Sequence, residues 1–234
     1  MGRVLGCRLF LKVETQNPVR CFKGRGTETV LSRLLAQGAR SVVSASAGNL
    51  GQALAYGGRL RNMNVTVTAS SAASPLKIEK MRALGANVIL VEGEIEAALQ
   101  EALTYANDAG AFLVEDSKNL DTCEGAATIG LELSDLADAL DMVLVSLGAG
   151  AMATGVGYAL KCRRSEVKVI CVQPHNAPAM TLSYRAGRVV EVGAPNTIAD
   201  GVAGRYDFEA WVMEARLGPT PGIRPLFAPA SPAW

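Results

Sequence analysis

From Ser41 onward, short apolar runs alternate with segments of helical periodicity, and this alternation narrows the fold more than any other feature of the chain. Residues 41–44, 65–68, 88–91 and 112–114 are apolar, largely β-branched, and of the length of buried strands. Helical stretches separate them at 49–61, 75–84 and 95–107, with Pro75 suited to a first turn and Gly85 to a helix end. A helix is expected over much of 123–133. A second series then begins with a strand at 142–145, a helix at about 153–161 and a strand at 167–172. Such alternation predicts βαβ units and mostly parallel sheets: an α/β protein of two lobes, with a cleft at the carboxyl ends of its strands. After about Arg205 the pattern fades into a Pro-rich tail, 206–234, expected to be extended or irregular.

Composition removes several functions. Hydrophobic residues at 49% against 19% charged argue for a folded chain. A net charge of +1, with lysines and arginines scattered, gives nucleic acid or an anionic membrane nothing to hold. His175 is the one histidine, so neither a His-rich metal site nor a Ser-His-Asp triad is expected. The five cysteines lack CxxC spacing and read as reduced thiols, and no secretory signal opens the chain, so a cytoplasmic location is expected. Residues 142–160 carry no charge and approach membrane-spanning length, but Gly148 and Gly150 break them into strand, turn and helix.

Three segments carry chemistry. In Phe22-Lys23-Gly24-Arg25-Gly26 an amine lies beside an aromatic ring that can exclude water and a cation that can lower its pKa; the plainer reading is a solvated basic stretch. Ser44-Ala-Ser-Ala-Gly-Asn49 joins a strand to a helix start, where free N–H groups bind a carboxylate and Asn49 offers an amide to a flat ring; alone, it reads equally as a helix cap. Gly148-Ala149-Gly150-Ala151-Met152 presents unobstructed N–H groups at another helix start and suits a phosphate, though such turns also serve close packing. It is neither a P-loop nor a complete dinucleotide fingerprint. An amine, a ring-facing amide and a phosphate nest in this order point to pyridoxal phosphate.

On these segments the chain resembles the fold-type II pyridoxal-phosphate enzymes, in particular their serine/threonine dehydratase branch. Lys12-Val-Glu14, Asn17-Pro18, Pro75-Leu-Lys-Ile78, Ala83-Leu-Gly-Ala86, Glu124-Gly125, Thr128-Ile129 and Thr197-Ile-Ala-Asp-Gly201 match that branch in order, so the likeness covers roughly 11–204. It implies a tryptophan synthase β-like fold: a small domain at 41–118, and a large cofactor domain at 1–40 plus 119–205 that is incomplete at both ends. It also implies that Lys23 carries the cofactor as a Schiff base and moves the substrate's α-proton. Asn49 would bond the ring oxygen, Gly148, Ala149, Gly150, Ala151 and Met152 would hold the phosphate, and Ser46, Gly48 and Asn49 would take the substrate carboxylate. The implied reaction eliminates water from serine or threonine to give a 2-oxo acid and ammonia. A β-replacement or threonine-synthase-like activity, or a remnant that binds without turnover, are the alternatives.

Departures from the pattern refine this. Ala47 stands where related serine racemases carry a serine, which favours elimination over racemisation. Leu50 replaces a frequent histidine and leaves the choice of substrate open, while Cys21 replaces the usual Ser or Thr before Phe-Lys. Where some relatives bind a cation, Gln173 and Ala179 offer no carboxylate, so no metal is expected. Missing core elements would leave apolar faces open and favour association, a homodimer being the simplest form.

Overall fold

The structure, a computed structural model, describes residues 2–136, 140–193 and 196–202. The tail expected at 206–234 lies outside these residues.

After a short helix α1 (Gly2–Leu5) and an irregular segment, the chain forms α2 (Lys23–Ala36), β1 (Ser41–Ala45), α3 (Asn49–Leu60), β2 (Asn64–Ser70), α4 (Pro75–Ala83), β3 (Asn87–Val91), α5 (Ile95–Ala109) and β4 (Phe112–Leu113). It continues through α6 (Leu120–Ser134), β5 (Met142–Ser146), α7 (Ala151–Arg163), β6 (Lys168–Val172) and α8 (Ala179–Ala186), and the described part closes on a 3-10 turn at Asp200–Val202. No helix is long and apolar enough to cross a membrane among the described residues. The uncharged run 142–160 is divided between β5 and α7.

Four strands form one parallel sheet in the order β3-β2-β1-β4, and β5 and β6 pair in parallel in a second. Each β1 residue faces one of two cores because strand side chains alternate. Val42 enters a cluster with Leu50, Leu54, Val67 and Met81, while Val43 enters one with Ala102 and Ala111 of the α5 side. Burying a side chain such as Leu54 contributes about 1.5–3 kcal/mol. The second sheet packs on α6, α7 and α8 through Ile129, Leu133, Val145, Leu160, Val169 and Met180.

Sequence pattern does not announce α2, which holds Gly24, Gly26, Thr27 and Thr29. It forms because tertiary contacts outweigh weak propensity. Val30, Leu31 and Leu34 join the core of the four-stranded sheet, while Gly26 lies so close to α6 that a methyl group there would stand 2.9 Å from the Thr122 carbonyl oxygen. Helix α2 therefore touches the four-stranded half and α6 at once. The same device continues outward: a methyl on Gly125 would collide with the backbone of Arg25 and Gly26, and one on Gly155 with the Cys123 carbonyl. These close approaches lock α2, α6 and α7 into one stack, which fixes the start of α2 relative to the start of α7.

Helix α6 begins at Leu120, three residues ahead of the expected stretch, and α7 at Ala151, two ahead. Gly150 explains the second difference: its φ of 111° is a conformation a side chain resists, and it lets the chain turn at once from loop into helix.

Candidate active site

Three of the site's loops leave the carboxyl ends of parallel strands. Residues 46–48 follow β1, 114–119 follow β4 and 147–150 follow β5. The order β3-β2-β1-β4 makes β1/β4 the place where the chain changes direction across the sheet, the crevice where ligands settle in open α/β folds.

The loop ahead of Lys23 is built around Asn17. Its side-chain amide donates to the carbonyls of Glu14 and Cys21 at 3.0 and 2.8 Å, and its Oδ1 accepts from the amides of Val19 and Cys21 at 3.1 and 3.3 Å. That ties the turn closed and delivers Lys23 as the first residue of α2. The Lys23 side chain is only 14% exposed, which rules out the solvated basic stretch. Its nitrogen stands 5.0 Å from the centroid of the Phe22 ring and is ion-paired with Asp116. Phe22 in turn packs against the cluster that Met152 also covers.

Arg25 does not serve Lys23. Its guanidinium bonds Glu14 through Nε at 2.8 Å and Glu132 through Nη1 at 2.7 Å, and donates to Thr128 at 2.8 Å. Lys12 joins this network, 3.0 Å from Glu14 and 2.8 Å from Glu132. Hydrogen bonds from Arg25 and Lys12 hold the Glu132 carboxyl down at about 2. Burial pushes Glu14 up, but the same two cations outweigh it and leave its carboxyl below the usual range. Burial pushes the Cys21 thiol up, so it stays protonated and packs. A groove of about 350 Å³ bordered by Lys12, Asn17, Arg25 and Tyr56 lies beside this network, and none of Lys23, Asn49 or Gly148 lines it.

In the loop after β1 the capping work falls to Ser46. Its Oγ accepts the amides of Gly48 and Gly51 at 3.2 and 3.1 Å. Gly48 is the N-cap, and Asn49, the first helical residue, is exposed and not used as a cap. Its amide is thereby left to reach outward. A methyl on Gly48 would meet the Lys77 side chain at 3.9 Å, so a second cation borders this loop, from α4.

In the third loop, Gly148 and Ala149 are half-buried, and Gly150 and Ala151 are buried with Met152 at their edge. No side chain caps α7, so the first-turn amides that a helix always leaves over have no capping acceptor. The turn at Asp200–Val202 closes over both loops. A methyl on Gly148 would stand 3.3 Å from Val202 Cα, and one on Gly201 would stand 3.8 Å from the Asn49 amide nitrogen. The amide of Asn49, the glycine loop and Gly201 therefore meet at one place.

A family described as "Pyridoxal-phosphate dependent enzyme" matches residues 1–217. The chain belongs to this family. It is 35% identical over 204 residues to L-threonine ammonia-lyase of Thermotoga maritima, covering 87% of this chain and 51% of that protein. The structure of maize serine racemase matches with a TM-score of 0.85 at 26% identity, over 90% of this chain and 64% of that one. The processed threonine deaminase isoform 2 of Solanum lycopersicum matches at 0.82 and 29% identity, over 89% and 62%. The fold is thus that of the fold-type II pyridoxal-phosphate enzymes, and the chain spans about half the length of the curated relatives it matches. The residues present fit that cofactor in donor chemistry: a half-buried amine, an exposed side-chain amide at Asn49, and first-turn helix amides that no side chain caps, the donors a phosphate takes.

Asp116 is the site group that motif reading passes over. The signal for it was positional, an acidic residue just past the carboxyl end of a parallel strand. The other candidates divide differently. Leu50 is buried in the sheet core and takes no part in the site. Gln173 accepts the amide and hydroxyl of Thr181 at 3.0 and 2.9 Å and so caps the start of α8.

Proposed function

We propose that this chain holds pyridoxal phosphate on Lys23 and serves the elimination of water from a small β-hydroxy amino acid, serine or threonine, yielding a 2-oxo acid and ammonia. The observation that carries the reading is the meeting of the Asn49 amide, the glycine loop at Gly148 and Gly201, together with a Lys23 amine withdrawn from water. The cofactor supplies an electron sink for a carbanion next to its ring. The chain's own residues do the rest. Lys23 moves the α-proton, and Asn49 orients the ring through its oxygen. The amides of Gly148, Ala149, Gly150, Ala151 and Met152 receive the phosphate at the positive end of α7. Ser46, Gly48 and Asn49 receive the substrate carboxylate at the start of α3. We assign 41–118 to a small domain and 1–40 with 119–205 to the cofactor domain, and place the protein in the cytoplasm, with a homodimer as its simplest assembly.

Similarity to maize serine racemase supports a second reading, interconversion of serine enantiomers. Ala47 weighs against it, because a methyl group cannot carry a proton to the opposite face of the ring. The experiment is to supply the purified protein, loaded with pyridoxal phosphate, with L-serine and L-threonine. Release of 2-oxo acid and ammonia without D-serine supports elimination; D-serine without 2-oxo acid supports racemisation and overturns it.

A further inference from the structure

We propose that Asp116 is the counter-ion of the Lys23 nitrogen once that nitrogen is linked to the cofactor, a positioning residue that keeps the linkage charged. The inference rests on the preceding reading of Lys23 and adds a residue to it.

Asp116 sits in the loop that leaves β4, on the β1/β4 crevice, and its carboxylate is ion-paired with Lys23 Nζ. Both side chains are largely withdrawn from water, at 14% and 22% exposure, so the interaction is screened far less than a surface pair. The carboxylates around α2 are otherwise committed. Glu14 and Glu132 bind Arg25 and Lys12, Asp121 and Glu124 bind Arg33, and Glu115 binds Lys118 at 2.9 Å. A further titratable neighbour of Lys23 among the described residues is the Cys21 thiol, which burial keeps neutral. Asp116 is therefore the negative charge that this part of the chain directs at the amine.

Condensation of the Lys23 amine with an aldehyde forms a C=N bond and releases the aldehyde oxygen with two nitrogen protons as water. In its charged form the linked nitrogen holds one proton, and the backbone of α2 keeps it near where the amine was. A carboxylate within a few ångströms favours the charged form, whose electron-withdrawing power is what substrate exchange and α-proton loss require. An opposite charge at this range typically moves such an equilibrium by about 1–3 pH units.

The test is a pH titration of visible absorbance on protein loaded with pyridoxal phosphate. Wild type is expected to keep the visible band of its charged linkage to an alkaline midpoint. Asp116→Asn is expected to lose it at least about one pH unit lower, and Asp116→Glu to recover most of the difference. Asp116→Ser, a smaller neutral replacement, must show the same drop and decides the matter if Asp116→Asn does not fold. A neutral variant that binds the cofactor covalently with the wild-type midpoint overturns the counter-ion. Failure of wild type itself to form the linkage overturns the Lys23 reading and this inference together, so the two failures are distinguishable.

Discussion

Ser46 and Asn49 stand three residues apart in one loop and divide two jobs that the sequence leaves merged. Ser46 satisfies the amides of Gly48 and Gly51, so its loss strips a helix start of its acceptor. Ser46→Ala is expected to cost about 1 kcal/mol of stability in a urea melt. Asn49 makes no such cap and is exposed, so Asn49→Ala is expected to change stability by less than about 0.5 kcal/mol. It should nevertheless weaken pyridoxal phosphate binding, by about 5–10-fold in a fluorescence titration, the value of one lost hydrogen bond. Equal stability losses in both variants would contradict this division. The loop before Lys23 depends in the same way on Asn17, whose four hydrogen bonds had no sequence signature beyond the Asn-Pro pair.

Among the elements, the stack of α2, α6 and α7 matters most because it sets where the amine stands relative to the helix start expected to take the phosphate. Gly125 and Gly155 permit the close crossings, and neither has room for a methyl group. Gly155→Ala is expected to cost about 1–3 kcal/mol by overpacking. Because it displaces α7, it should also weaken cofactor binding, measured by titration at a temperature where the variant remains folded. Strands β1–β6 were legible in the sequence because a buried parallel strand reads as a short apolar run between helical periods. Helix α2 was not, since its glycines and threonines lower propensity and its reason for existing lies in α6 and the sheet core. Helix α8 was missed as well, being short and capped by a glutamine eight residues away. The Lys23, Asn49 and Gly148–Met152 segments were legible as motifs, whereas Asp116 depends on a contact between residues ninety-three positions apart.

Across the whole molecule, the network of Lys12, Glu14, Arg25 and Glu132 ties the N-terminal segment to α2 and α6, and it gives stability a pH dependence. The Glu132 carboxyl lies at about 2 in the folded chain against an ordinary 4.5. A depressed carboxyl contributes fully above its unfolded value, so this stabilisation is present above about pH 5 and is lost as pH falls from 4.5 toward 2. Glu132 is 48% exposed, and solvent screening holds its contribution to about 1 kcal/mol or less. Glu132→Gln is expected to lower the melting temperature slightly at pH 7 and to flatten its fall below pH 5, measured by scanning calorimetry. The central claim concerns the lysine that opens α2, and it is tested most directly by covalent mapping. Protein incubated with pyridoxal phosphate is reduced with borohydride, digested and read by mass spectrometry. A phosphopyridoxyl group on Lys23, absent from Lys23→Ala, is the expected result; labelling spread over other lysines with Lys23 unmodified would contradict it.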